Sequence, residues 1–208
     1  MGARCTVFLG PSRAPLPAKG IGTVICADSG YRAAREVGIV PHHLVGDMDS
    51  ISERELAEAR SMGVEMHVHP REKDRSDGEL ALSLAVGVGP EEIVILAGKS
   101  GRTDHLLSTF HLLYLVPEAI HAELWLDDDR AMLLREGSTG EFDGPSSVVS
   151  LVPARTDCVL STEGLKYRLE SGRIPFGSTL GIHNEPTLDR FRITVLKGDV
   201  YLVLSNSP

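Results

Sequence analysis

Two aspartates one residue apart, Asp47 and Asp49, follow the short apolar stretch Leu44-Val45-Gly46. At the end of a buried strand they would face the crevice where open α/β sheets bind ligands. Carboxylates held that close repel each other unless a cation lies between them. Hard divalent ions such as Mg²⁺ take oxygen donors, typically one or two carboxylates together with nucleotide phosphates. The pair therefore suggests a metal–phosphate site, set against the plainer reading of a turn rich in Asp and Gly. A second acidic group sits in the charged run Arg71-Glu72-Lys73-Asp74-Arg75-Ser76-Asp77-Gly78-Glu79. This run precedes an amphipathic helix that Ser76 and Glu79 can cap, which puts Asp74 and Asp77 at the same strand-end face. Asp28 follows the apolar stretch 21–27 and precedes Ser29-Gly30. It reads as a ligand-facing carboxylate or as a helix cap, the cap being the simpler role. Gly98-Lys99-Ser100-Gly101-Arg102-Thr103-Asp104-His105 combines glycines with cations after an apolar strand, which suits phosphate, although it lacks the Walker A spacing. His67 and His69 have the spacing of neighbours on one strand face, but two residues do not complete a metal site.

Several elements must position these groups. Thr6–Leu9, Ile21–Ala27, Leu44–Gly46, Val64–Val68 and Ile93–Ala97 read as strands, the last a continuous apolar run of the kind buried in a parallel sheet. Prolines 11, 15 and 17 with Gly20 make 10–20 a loop. Helices are expected over Tyr31–Val37, closed by Gly38, and from the capping box Ser52/Glu55 to about Met62, closed by Gly63. Two more are expected over Leu80–Val88 and Leu106–Val116, the last with Leu106, Phe110, Leu113 and Tyr114 as core residues. Ala122–Leu126 is one further strand, with Trp125 as packing. Alternation of strand and helix up to about residue 120 predicts a mainly parallel sheet flanked by helices. Beyond it, Met132–Leu134, Val148–Val152, Cys158–Leu160, Arg192–Leu196 and Val200–Leu204 are short strands between turn residues. The expected fold class is α/β: an N-terminal mainly parallel α/β sheet domain over 1–120, then a C-terminal all-β sandwich domain over 121–208.

Bulk properties narrow the function. The 208 residues suffice for one large or two small domains, with 42% hydrophobic and 24% charged content. A net charge of −8 argues against a nucleic-acid or anionic-membrane partner and suits a cationic small molecule or a metal. Cys5, Cys26 and Cys158 are widely spaced, which argues against a disulfide framework and a zinc knuckle and fits a reducing cytoplasm. No apolar run approaches the length of a membrane span, and the signal-peptide pattern is absent.

Taken together, the motifs resemble those of the thiamin pyrophosphokinase (thiamin diphosphokinase) family. The resemblance is carried by Ala27-Asp28-Ser29-Gly30, Gly46-Asp47-Met48-Asp49-Ser50, Glu72–Asp77 and Gly101–His105. It continues through Thr162–Tyr167, Pro175–Gly181 and Asn184-Glu185. It implies an α/β catalytic domain followed by a β-sandwich, and a homodimer in which thiamin lies between the catalytic domain of one subunit and the β domain of the other. The implied reaction moves the pyrophosphoryl group of ATP to the hydroxyl of thiamin, with Mg²⁺, giving thiamin diphosphate and AMP. Carried over by motif, Asp47, Asp49 and Asp77 would be catalytic and, with Asp74, would hold the metal. Asp28, Ser50, Lys73, Arg102, Asp104 and His105 would sit at ATP, and His183 and Asn184 at thiamin. Two positions depart from the family pattern: Ser29 stands where a second glycine is usual, and His183 where serine commonly precedes the asparagine. A pyrophosphokinase for another small alcohol, such as a hydroxymethylpterin, and a non-catalytic nucleotide- or thiamin-binding module are the alternatives. The β-domain motifs count against the first and the intact acidic motifs against the second.

Overall fold

A computed structural model describes residues 3–18, 20–99, 102–144 and 147–206. The chain divides into two compact units, Met1–Asp127 and Asp128–Pro208.

The first unit alternates strands and helices. In chain order it runs β1 (Arg4–Phe8), β2 (Thr23–Ala27), α1 (Gly30–Glu36), β3 (His43–Gly46), α2 (Glu53–Ser61), β4 (Glu65–Val68), α3 (Asp77–Val88), β5 (Glu92–Ala97), α4 (Thr103–Leu112) and β6 (His121–Leu126). The strands pair in the order β4-β3-β2-β1-β5-β6, all parallel. From β1 the chain steps outward to β4 and then returns to the other side of β1 as β5. That reversal is the switch point at which open α/β sheets form their ligand crevice. One face of the sheet, with Phe8, Val24, Cys26, Leu44, Val94 and Leu96, packs against Tyr31, Ala33, Ala34 and Ala59 of α1 and α2. On the other side α3 lies against β1, β2 and β3. Alanines on α1 and α3 let these helices approach closely, and Gly30 is required for it: a Cβ there would stand 2.1 Å from the Phe8 carbonyl oxygen.

Helix ends follow the expected chemistry. Ser52 and Glu55 form a reciprocal capping box on α2, and the Ser76 hydroxyl accepts the Glu79 N–H at the start of α3. Gly38 and Gly63 follow α1 and α2 with φ of +78°. Two expectations need correction. The N-cap of α1 is Ser29, not Asp28, and it makes no side-chain cap bond. Of Leu106, Phe110, Leu113 and Tyr114, only Leu113 is buried, in a 3₁₀ turn (Leu113–Leu115) after α4; α4 itself buries no residue.

The second unit is antiparallel. It contains β7 (Asp129–Leu134), β8 (Thr139–Asp143), β9 (Ser147–Pro153), β10 (Cys158–Glu163), β11 (Gly172–Ile174), β12 (Arg190–Lys197) and β13 (Val200–Asn206). β13 pairs with β7 and β9, and a second sheet has the order β11-β10-β12-β8. Alternate residues of both sheets, among them Val149, Leu151, Val200 and Leu202 against Leu160, Ile174, Phe191 and Ile193, build one core. That is a sandwich closed by period-two side chains. Among the described residues no helix is long and apolar enough to cross a membrane.

Candidate active site

The C-terminal ends of the parallel strands open into a cleft of about 830 Å³. Its walls come from the loops after β1 and β5, the two strands at the switch point, and from the segment Arg71–Gly78. Asp28, Asp47 and Asp77 meet within it. Each offers a carboxylate oxygen, and these oxygens all lie within 4.8 Å of one another. Three separate local devices bring them there. Asp28 follows β2 in a left-handed turn (φ +43°). Asp47 follows β3, where Met48 (φ +65°) and Ile51 are buried in the first core while the aspartates on either side of Met48 face the cleft. Asp47 Oδ1 accepts the Asp49 N–H at 3.1 Å, an Asx turn that fixes its carboxylate. Asp77 is the first residue of α3, where a carboxylate suits the helix dipole.

Gly46 makes the convergence possible. Its φ is +148°, and a Cβ there would stand 3.2 Å from the Asp28 Cβ and 3.2 Å from the Asp77 carboxyl carbon. Its requirement is visible only once the two carboxylates are seen behind it.

Lys73 neutralises part of the cluster. Its Nζ lies 3.4 Å from Asp47 Oδ2 and 3.0 Å from Asp77 Oδ1. Burial opposes the ammonium charge, but Asp77 and Asp47 outweigh it and raise the Lys73 pKa. The Asp49 N–H, reinforced by Lys73, holds the Asp47 carboxyl below its ordinary value. Asp28 is pushed the other way, first by burial and then by Asp77, Asp47 and Asp49. One oxygen of Asp28 accepts the Ser50 hydroxyl. The other, Oδ1, is buried and has no hydrogen-bond partner among the described residues. An unsatisfied buried oxygen beside two further carboxylates is the donor set that a hard divalent cation requires.

Other expected residues have different placements. Asp49 lines the cleft but is half exposed and pairs with Arg71 at 3.5 Å. Asp74 is exposed at the rim, outside the carboxylate trio. Arg102 and His105 line the cleft, and Arg102 is held by Asp104 at 2.6 Å. Ser100 and Gly101 of that turn lie outside the described residues. Asp127 is a residue that the sequence did not point to. Its carboxylate accepts the Arg13 N–H at 2.8 Å and the Lys99 N–H at 3.0 Å, tying together the loops after β1 and β5.

In the second unit, Asn184 is buried and both ends of its amide bond backbone groups. Oδ1 accepts the N–H groups of Tyr167 and Glu185, and Nδ2 donates to the Tyr167 carbonyl at 2.9 Å. His183 is exposed with φ +61°, and its N–H donates to Ser150 Oγ. Along the chain on either side, Tyr167, Phe176, Leu180, Ile182 and Leu188 are exposed.

Comparison with known proteins decides the family. The family model "thiamin pyrophosphokinase, catalytic domain" matches residues 18–124, and "thiamin pyrophosphokinase, vitamin B1 binding domain" matches 141–198. A thiamine pyrophosphokinase of Bacillus subtilis is 33% identical over 184 residues, 87% of this chain and 86% of that one. This chain belongs to the thiamin pyrophosphokinase family. The crystal structure of thiamine pyrophosphokinase from Bacillus subtilis superposes with a TM-score of 0.88 at 27% identity, covering 99% of this chain and 100% of that one. Thiamin pyrophosphokinase from Candida albicans shares the fold at 16% identity, with a TM-score of 0.84 over 99% of this chain and 90% of that one. The catalytic-domain match contains the whole carboxylate trio, and the B1-binding match contains the Asn184 loop.

Proposed function

We propose that this chain is a thiamin diphosphokinase, transferring the pyrophosphoryl group of ATP to the hydroxyl of thiamin and releasing AMP. The observation that carries the reading is the meeting of Asp28, Asp47 and Asp77 in the strand-end cleft of a chain that matches both family domains. Mg²⁺ fits this cluster: Asp28, Asp47 and Asp77 would hold it, and when bound it neutralises the polyphosphate and makes the β-phosphorus open to attack.

The protein's own groups have separable tasks. Lys73, Arg102, Arg71 and Arg75 line the cleft and supply cations for the phosphates and for the charge that develops on AMP as it leaves. Ser50 and the Asx turn fix two of the carboxylates, so that little reorganisation is needed when ligands arrive. Asp49 and Asp74 stand at the cleft wall and rim, within the acidic field that attracts the cationic thiazolium and offers acceptors for the hydroxyl proton. Asp104 and His105 complete the nucleotide side at the start of α4. In the second unit Asn184 acts as a positioning residue. It clamps the backbone of Tyr167 from both sides and so sets the loop that, with His183, meets thiamin.

The working enzyme on this reading is a cytoplasmic homodimer. The exposed apolar group Tyr167, Phe176, Leu180, Ile182 and Leu188 supports an interface near that loop. The test is AMP release from ATP and Mg²⁺ with thiamin, with a hydroxymethylpterin and with no acceptor. AMP together with thiamin diphosphate in the thiamin reaction alone is expected. Equal release with the pterin, or release without any acceptor, would overturn the proposal.

A further inference from the structure

Three metal-capable side chains meet at the other end of β3, away from the aspartates. His43 opens β3, while Glu65 and His67 lie on β4, the outermost strand. The register sets Glu65 beside His43 and His67 beside Val45. Residues two apart on a strand share a face, so all three side chains leave the same side of the sheet. His43 Nδ1 lies 3.2 Å from His67 Nε2. The Glu65 carboxylate spans both rings, with Oε2 3.3 Å from His43 Nδ1 and Oε1 3.4 Å from His67 Nε2.

With Glu65 as a carboxylate, protons cannot satisfy all three contacts. If both facing nitrogens carry hydrogen, each can donate to Glu65, but they then oppose each other across 3.2 Å. If only one carries hydrogen, the bare nitrogen faces the carboxylate lone pair to lone pair. One cation between the three donors satisfies all of them. The nitrogen–nitrogen separation of 3.2 Å also fits, since donors about 2.0–2.1 Å from a tetrahedral ion stand about 3.3 Å apart, while Glu65 turns a different oxygen to each ring and can offer the ion either or both.

We propose that His43, Glu65 and His67 form a site for a borderline divalent transition-metal ion of the Zn²⁺ type. Imidazole nitrogen selects such ions over Mg²⁺, which takes oxygen. Glu65 is 65% exposed, so a further coordination position is reached by water or a small ligand. Neighbouring histidines are otherwise placed. His42 Nδ1 accepts the Val24 N–H at 2.9 Å, and His69 is not in the cluster, so the spacing of His67 and His69 does not define this site. A bound ion would pin the edge strand β4 to β3.

The test is calorimetric titration of the chelator-treated full chain with Zn²⁺, beside the same titration of His43→Gln, Glu65→Gln and Asp47→Asn. One tightly bound Zn²⁺ per chain, retained in Asp47→Asn, is expected, and any weaker uptake by the acidic trio should be lost in that variant. Affinity should fall at least tenfold in each of the other two variants, no less than changes outside the first coordination shell cost. Glu65 projects from an exposed edge, so its variant remains folded and informative even if His43→Gln does not. Zn²⁺ should also shift the ring resonances of His43 and His67 and leave that of His111 in place. No binding, binding unchanged in Glu65→Gln, or binding lost only in Asp47→Asn would each overturn the proposal.

Discussion

The acidic cleft and the Asn184 loop both place polar side chains on segments that connect strands, and they use them in opposite ways. Asn184, between β11 and β12, spends its side chain on backbone groups, accepting the N–H groups of Tyr167 and Glu185 and donating to the Tyr167 carbonyl, and so ties its loop to the one between β10 and β11. Asp28 keeps a buried oxygen without a hydrogen-bond partner among the described residues, and Asp47 and Asp77 share one lysine. A satisfied buried polar group fixes architecture, whereas an unsatisfied one is an invitation to a ligand. Topology explains the difference. Parallel strands all end on one side, so turns after β2 and β3 and the start of α3 converge. Antiparallel strands send successive ends to opposite sides, and the loops between them are held by one another and by a neighbouring strand, as Asn184 is by the Tyr167 loop and by Val149 of β9.

The comparison breaks first at Asp47. Asp47→Asn keeps the volume and removes one charge, so the fold should survive while turnover falls by about a hundredfold or more. Steady-state rates alongside a thermal melt check this; a near-wild-type rate would detach the cluster from the chemistry. Asn184→Ala should do the reverse. It leaves two N–H groups and a carbonyl unpartnered, at a cost of about 2–3 kcal/mol by denaturant unfolding. Its kcat should change less than its KM for thiamin, because the residue acts through the Tyr167 loop.

Smaller effects sharpen the picture within the first unit. Gly46→Ala forces a Cβ against Asp28 and Asp77 and strains a φ of +148°. About 1–2 kcal/mol of stability should be lost, with a drop in rate larger than that of an alanine placed at exposed Gly87. Glu55 supplies the pH-dependent case. Arg32, then Ser52, draw its carboxyl from 4.5 down to about 2. A lowered folded-state pKa stabilises above the unfolded value, so this contribution is complete above pH 4.5 and fades as the pH falls towards about 2. Arg32 is half exposed and the pair is screened, so the effect should be below about 1 kcal/mol. Acid unfolding of Glu55→Gln, shallower than wild type over that interval, would show it.

Much of this was legible in the sequence because the signals are local. Continuous apolar runs mark β2, β3 and β5, and Ser-x-x-Glu marks α2 and α3. The pairing of Asp47 with Asp77 was inferable from the rule that parallel strand ends converge. Asp28 was less clear, since Asp before Ser-Gly and a helix has the same local pattern as a cap; only β2 lying beside β3 turns it towards Asp47. Helix α4 shows the limit of periodicity, which reports an apolar face without saying what covers it. Strands β8, Thr-Gly-Glu-Phe-Asp, and β11, three residues long, carry too few apolar side chains to stand out. The His43–His67 contact spans 24 residues and exists only through strand register, so no spacing in the sequence announces it.

Manganese, an observable stand-in for Mg²⁺, tests the central claim most directly. Electron paramagnetic resonance of Mn²⁺ added with a non-hydrolysable ATP analogue should show one bound ion in the wild type and in Asn184→Ala. The same signal should be lost, or weakened at least tenfold in affinity, in Asp28→Asn and Asp77→Asn. Undiminished binding in both aspartate variants, with their folds intact, would contradict the assignment of the carboxylate trio.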